Sequence, residues 1–166
     1  SFVTRQRLLN HDGDASNQVI WFIDRNPDGS DHDNTMQAFA VLDEWMANIR
    51  ANPDSPVGAN RPAAAVDSCF ASDGELIASG ETVWDGILND RPVGSCTERF
   101  PPYSTSRIVA GAPITGDVFR CALQPLDDAI EAGLYGSWVP STEEFAKLQA
   151  IFPDGVCDYS QPGVMD

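Results

Sequence analysis

Apolar positions at helical spacing mark the segment from residue 36 to residue 49. Apolar side chains recur there at three- and four-residue steps, and Asp43 and Glu44 lie between them. The apolar positions are Met36, Phe39, Leu42, Trp45, Met46 and Ile49. This period places them along one side of a helix, and Asp33 or Asn34 is placed to cap its N-terminus. The pattern therefore predicts an amphipathic helix.

A short apolar run and an earlier helical pattern precede that helix. Residues 18–23 are nearly all apolar and rich in β-branched and aromatic side chains, which is typical of a central parallel strand covered on both faces. Residues 2–9 have the spacing of the last turns of an amphipathic helix, which the loop of residues 10–14 ends. Because Ser1 leads directly into this pattern, we expect the chain to be part of a longer precursor.

The polar stretch of residues 24–33 links the predicted strand to the amphipathic helix. Pro27 and Gly29 exclude regular structure, so we expect a loop. Its first six residues read Asp-x-Asn-x-Asp-Gly, which matches the first half of a calcium-binding loop. Asp31 and Thr35 then stand at the eighth and twelfth positions, where an EF-hand has an apolar residue and a glutamate. The pattern excludes an EF-hand and leaves a looser calcium site or an ordinary acidic turn.

The rest of the chain has weaker patterns and more turn residues. The composition shifts to Asn, Pro, Asp, Ser and Gly over residues 51–62, which predicts a division into residues 1–51 and a loop-rich extension, residues 52–166. Two apolar runs flank the turn residues 72–74 and predict a β-hairpin. Residues 80–106 carry frequent turn signals, so short strands and loop are expected there.

Two helical patterns lie in the last third of the chain. Residues 117–134 are helix-capable, although Pro125 interrupts them. Ser141 and Glu144 form a capping-box pattern that opens a second helix, which Pro153 ends.

The charge balance excludes one class of partner. Ten Lys and Arg residues stand against 25 Asp and Glu residues, giving a formal net charge of -15. Nucleic-acid binding depends on clustered basic residues, so no nucleic-acid partner is expected. The apolar runs are too short to span a bilayer, so no membrane span is expected either.

The four cysteines favour disulfides over a metal site. They are Cys69, Cys96, Cys121 and Cys157, with neither CxxC spacing nor a histidine at zinc-ligand spacing. Four cysteines allow three pairings, and the sequential pairing closes two local loops, each worth about 3 kcal/mol on the chain-entropy model. We therefore favour Cys69–Cys96 and Cys121–Cys157. Disulfides would place the chain outside the cytosol, secreted or periplasmic, whereas free thiols would fit a cytosolic protein.

His32 is the candidate catalytic residue. In doubly wound sheets, reactive side chains lie on loops at the carboxyl ends of strands, and His32 follows such an end whereas His11 precedes the strand. The alternative is a solvated loop histidine. The GxSxG, GxGxxG, P-loop and HExxH motifs are absent, and no serine has the strand–turn–helix setting of a nucleophile. The chain alone does not look like a complete enzyme.

Several longer segments carry a resemblance to a known family. These are residues 39–46, 61–69, 106–111, 121–127 and 151–164, the last with the sequence IFPDGVCDYSQPGV. Together with the order helix, strand, histidine loop and helix, they resemble an uncharacterised bacterial family of secreted tannase-like α/β-hydrolases. The implied fold class is α/β, the C-terminal part of an α/β-hydrolase-type doubly wound sheet followed by a loop-rich, disulfide-bonded extension.

The resemblance also implies a function. The chain would be the C-terminal segment or subunit of an extracellular serine hydrolase. Its expected substrate is a small ester, and an amide is the second choice. His32 would be its general base, with the nucleophile, oxyanion hole and triad aspartate upstream in the same precursor. Tannases place a cysteine beside the triad histidine, whereas Asp33 follows His32 here, so a histidine upstream of Ser1 is the alternative base. A second class of function is a non-catalytic acidic module that binds calcium or a protein partner.

Overall fold

The first three elements form in the order that the sequence predicts. In the computed structural model, which describes residues 1–30 and 32–164, they are helix α1 (Phe2–Asp12), strand β1 (Trp21–Ile23) and helix α2 (Thr35–Ala51). Helix α1 continues two residues past Asn10, where we expected the loop to begin. It ends at Gly13, whose left-handed φ of 70° lets its N–H donate to the carbonyl of Leu9.

The predicted hairpin is confirmed, and it pairs with β1. Strands β2 (Ser68–Phe70) and β3 (Leu76–Ser79) are antiparallel, and β1 lies parallel to β2. The sheet order is β1-β2-β3. Strand β1 is therefore an edge strand of a mixed sheet in the described chain, which corrects the expected central position, and a doubly wound sheet is not formed by these strands.

The apolar character of β1 follows from the coverage of both of its faces, as expected, and not from a central position in the sheet. Phe22 contacts the rings of Phe2 and Trp84, with centroids 5.8 and 5.1 Å away. On the opposite face, the ring of Trp21 meets that of Phe70 at 5.4 Å. An apolar run indicates that both faces of a strand are covered. It does not indicate whether one or two strands pair with that strand.

An ion pair fixes α1 to this sheet. Two guanidinium nitrogens of Arg5 donate to the two carboxylate oxygens of Asp67 at 2.5 and 2.9 Å. Asp67 also accepts from the backbone N–H of Ile20 at 2.8 Å. Both charged side chains are largely buried, with 16% and 13% of their surface exposed. This pair joins the first helix to the start of β1 and to the segment before β2.

The core of the first part of the chain surrounds a disulfide. Cys69 and Cys96 are bonded to each other and fully buried, and Cys96 belongs to helix α3 (Ser95–Arg99). The other buried members of the cluster are Ile20, Val83 and Trp84.

The last part of the chain has its own elements and its own disulfide. They are α4 (Ser106–Val109), β4 (Ala122–Gln124), α5 (Leu126–Glu131), α6 (Thr142–Ile151) and β5 (Val156–Asp158). Strands β4 and β5 are antiparallel, and Cys121 is bonded to Cys157. Both predicted disulfides are thus confirmed. Helix was expected within residues 117–134, and this is wrong for residues 122–124, which form β4. Helix α5 begins only after Pro125.

Two compact units make up the chain, Ser1–Pro102 and Tyr103–Asp166. The pairing of β1 with β2 brings residues on both sides of position 51 into the first unit. The expected division separated a hydrolase core, residues 1–51, from a loop-rich extension, residues 52–166. That division stays a prediction. Among the described helices, none has the length and apolar character to cross a membrane.

Candidate functional site

His32 lies at the carboxyl end of the parallel strand pair. The loop that carries it leaves β1 at Asp24, whose backbone N–H donates to the carbonyl of Phe70 at 2.9 Å. The backbone N–H of His32 then donates to the carbonyl of Ser72, just after β2, at 2.8 Å. The hairpin turn therefore holds the histidine loop at the carboxyl ends of the parallel strands, where α/β proteins place reactive side chains.

The imidazole of His32 packs against Gly74 in that turn. A Cβ atom at Gly74 would lie 2.5 Å from the ring Cδ2 and 2.7 Å from Cγ, and Gly74 has a φ of +91°. Only glycine meets both conditions without strain. The His32 residue as a whole is exposed to solvent.

The Asp33 side chain accepts a hydrogen bond at the start of α2 and lies close enough to His32 for its pKa to be affected. Its carboxylate accepts from the backbone N–H of Thr35 at 2.8 Å. Hydrogen bonds from the Thr35 side chain and backbone hold the pKa of Asp33 below its usual range, and the neighbouring His32 adds a smaller electrostatic contribution in the same direction. Of the two predicted caps, Asn34 occupies the N-cap position but makes no side-chain capping bond.

Two carboxylates of the acidic loop have partners in the protein, one within the loop and one in helix α3. Asp24 pairs with Arg99, and Asp28 accepts from both the backbone and the hydroxyl of Ser30 at 3.0 and 2.6 Å. Those Ser30 bonds lower the pKa of Asp28. Asp31 lies outside the described residues. Within residues 1–30 and 32–164, no group of three or more His, Cys, Asp and Glu side chains is arranged to hold a metal ion.

His11 is placed differently from His32. It lies in the last turn of α1, before β1, and its Nδ1 is 2.7 Å from a carboxylate oxygen of Asp12. Its side chain is 87% exposed. His11 precedes β1 as the sequence predicts, but it lies in a helix where a loop was expected.

Each unit contains a cavity beside these elements. A cavity of about 340 Å³ lies between the β1 region and α2, and Trp21, Leu42 and Trp45 line it. The second unit contains an apolar cavity of about 500 Å³, whose larger lining residues are Leu126, Tyr135, Trp138, Leu148, Phe152 and Tyr159. Burial raises the pKa of the Tyr135 hydroxyl.

Sequence reasoning missed the contact between the histidine loop and the hairpin turn. The turn residues Ser72, Asp73 and Gly74 indicated a hairpin, and nothing in their pattern showed that His32 would lie on them. The cavity of the second unit was also missed, because it depends on β4, a strand where helix was expected. Spacing along the chain does not reveal which loops meet in space.

Comparison with known proteins gives a family and no closer relative. Neither the curated proteins nor the solved structures contain a match to this chain. The model of a tannase-like family of unknown function, DUF6351, matches residues 1–166. The match covers the histidine loop, both disulfides and all of the elements described above. The chain belongs to this tannase-like family.

Proposed function

We propose that this chain supplies the histidine base of a secreted serine esterase whose nucleophilic serine lies on another segment of the same precursor. The observation that carries the proposal is the attachment of the His32 loop to the hairpin turn at the carboxyl end of the β1–β2 pair. Membership of a tannase-like family supports hydrolase chemistry. Two disulfides fit an oxidising compartment and support a secreted or periplasmic location.

The proposed chemistry uses the exposed imidazole for proton transfer. As the serine oxygen attacks the ester carbonyl, His32 takes the serine proton and returns it to the leaving alcohol when the carbon–oxygen bond breaks. A water molecule then gives its proton to His32 while it attacks the acyl-serine. His32 returns that proton to the serine oxygen, and the acid product leaves. The serine, the oxyanion donors and the triad aspartate belong to the other segment in this proposal.

A fluorophosphonate probe, which reacts with activated serines, tests the proposal on the native particle. We expect labelling of a chain segment other than residues 1–166, and we expect His32→Ala to slow it by about 10²- to 10⁴-fold. His11→Ala is the matched control, since His11 is also exposed but lies before β1. Peptide mass spectrometry without reductant, together with an unchanged circular dichroism spectrum, checks that the His32→Ala variant keeps both disulfides and its fold.

Three outcomes contradict this proposal. A particle that contains only the 166-residue chain and takes up no probe would support the acidic binding module instead. Equal losses in the two histidine variants would show that the effect is not specific to the His32 loop. Undiminished labelling of His32→Ala would assign the base to another histidine.

A further inference from the structure

The end of helix α3 lies over one face of β1, at the carboxyl end of that strand. Asp24 directly follows β1 and continues its ladder, since its N–H donates to the carbonyl of Phe70. Side chains two residues apart in a strand lie on the same face, so Phe22 and Asp24 share one. The ring of Phe100, at the end of α3, lies 6.0 Å from that of Phe22, and the guanidinium of Arg99 pairs with the carboxylate of Asp24. Two consecutive residues of α3 thus contact two successive positions on one face.

Helix α3 is fixed to the sheet by contacts that do not involve Arg99. Cys96 is bonded to Cys69 of β2, and both cysteines are fully buried. The backbone N–H of Cys96 also donates to the carbonyl of Val83 at 3.0 Å. Because these contacts hold the helix, it is expected to keep its place when the guanidinium of Arg99 is removed. The partner that Arg99 can hold or release is therefore the loop that begins after β1.

Asp24 is the residue at which the His32 loop leaves the strand. One of its carboxylate oxygens pairs with Arg99, and the other accepts from the backbone N–H of Arg25 at 2.9 Å. The carboxylate therefore links α3 to the first peptide group of the loop. Over residues 26–30 the loop is shaped by hydrogen bonds among its own residues. The loop is thus attached to the sheet at its start, through Asp24, and again at His32, through the hairpin turn.

We propose that Arg99 is a positioning residue for His32: by holding the carboxylate of Asp24, it fixes the direction in which the loop leaves β1 and so the place of the imidazole. The inference rests on the proposed function and adds to it a residue that acts on the base through the loop. The side chains of Arg99 and Asp24 are 56% and 31% exposed, and ion pairs of this kind contribute little to stability. Removing the pair is therefore expected to shift the loop and to leave the fold intact.

Fluorophosphonate labelling of the native particle tests the role of Arg99. Arg99→Gln removes the charge that holds Asp24, and we expect it to slow labelling about tenfold, because a small displacement of a catalytic group has a large effect on rate. Arg99→Lys keeps a positive charge and should restore most of the rate. Arg91→Gln is the matched control, since Arg91 also pairs with an aspartate, Asp85, at 3.6 Å and is 65% exposed. It should be labelled as fast as the unmodified particle.

Two further measurements distinguish positioning from a purely structural role. The nuclear magnetic resonance signals of the His32 ring should move in Arg99→Gln and stay in place in Arg91→Gln. Asp24→Asn keeps an acceptor for the Arg25 N–H but loses its charge, so it should slow labelling as Arg99→Gln does. Combining the two substitutions should slow labelling no further, because both remove the same interaction. The denaturant midpoint of unfolding should be nearly the same in all of these variants.

Several results overturn the inference and leave the proposed function standing. Undiminished labelling of Arg99→Gln, or unmoved His32 signals, would show that the ion pair does not position the ring. Equal slowing in Arg91→Gln would be a general effect of surface charge, and a much lower unfolding midpoint in Arg99→Gln would assign the pair a structural role. Additive losses in the double variant would show that Arg99 does not act through Asp24. Absence of labelling in the unmodified particle overturns the proposed function itself, and the inference with it.

Discussion

The imidazole of His32 lies on the backbone of Gly74, so close that the smallest side chain other than hydrogen would overlap the ring. The hairpin turn thus sets the position of a histidine some forty residues earlier in the chain. Gly74 is a positioning residue in this arrangement, because its lack of a side chain decides where the ring can rest.

Replacing Gly74 with alanine should displace the His32 ring. The added methyl group overlaps the imidazole, and a φ of +91° disfavours alanine in addition. We expect a loss of about 1–3 kcal/mol in the free energy of unfolding and a change in the nuclear magnetic resonance signals of the His32 ring. Gly13→Ala is the control, since Gly13 has a φ of +70° and open space around it. It should lower stability by about 1–2 kcal/mol and leave those signals unchanged. Unmoved ring signals in Gly74→Ala would show that the packing does not position His32.

The Arg5–Asp67 pair should be worth more than an ordinary surface ion pair. Asp67→Asn keeps an acceptor for the Ile20 N–H but leaves the guanidinium of Arg5 without its carboxylate. We expect a loss of about 2 kcal/mol in chemical denaturation, after discounting for partial exposure. Glu143→Gln is the comparison, because Glu143 pairs with Lys147 at 2.7 Å on an exposed helix face. That variant should hardly change stability, and equal losses in the two variants would contradict the assignment.

The two disulfides should differ in their accessibility to reductant. Cys69 and Cys96 are 0% exposed, whereas Cys121 and Cys157 are half-buried. Under native conditions a mild thiol reductant should therefore open Cys121–Cys157 first, while Cys69–Cys96 opens only when its unit unfolds. Alkylation followed by peptide mass spectrometry measures the order. Simultaneous opening of both bonds would mean that the first unit opens as readily as the second.

Acid should weaken the start of α6 through Glu144. Hydrogen bonds from the backbone and the hydroxyl of Ser141 hold the pKa of Glu144 below its usual range. Because the pKa is lower in the folded protein, this stabilisation is complete above the ordinary glutamate value, about 4.3, and is lost as the pH falls through the lower folded value. The protection factors of the amides at the helix start, which correct the exchange rates for their intrinsic pH dependence, should fall over that window.

A charge-neutral variant provides the control for that acid effect. Glu144→Gln retains an acceptor for the Ser141 N–H but does not titrate, so its protection factors should depend less on pH over the same window. Equal pH dependence in both proteins would assign the acid sensitivity to groups other than Glu144.

Local chemistry made several features predictable from the sequence. The capping box of Ser141 and Glu144 forms both of its expected bonds, and Gly74 makes the predicted hairpin turn. Helix α2 also forms where the spacing of apolar residues predicts a helix. Each of these features depends on residues that are close together in the chain. The local sequence pattern is therefore enough to predict them.

Features that depend on distant pairing were not predictable in the same way. The edge position of β1 and the strand β4 follow from which segments pair, and Val156–Asp158 gives no strong strand signal of its own. The period of α2 showed an apolar side but did not show that Phe39 and Met46 would stay exposed. His32 could be singled out from the sequence, whereas its seat on the hairpin turn could not.

The placement of the two disulfides has a consequence for how the chain can be divided. Cys69–Cys96 closes within Ser1–Pro102, and Cys121–Cys157 closes within Tyr103–Asp166. Among the described residues, the backbone at the junction is therefore the only covalent link between the two units, and the residues around it are exposed. A protease that cuts there would yield two internally cross-linked polypeptides whose masses, measured without any reductant, sum to that of the parent chain plus one water.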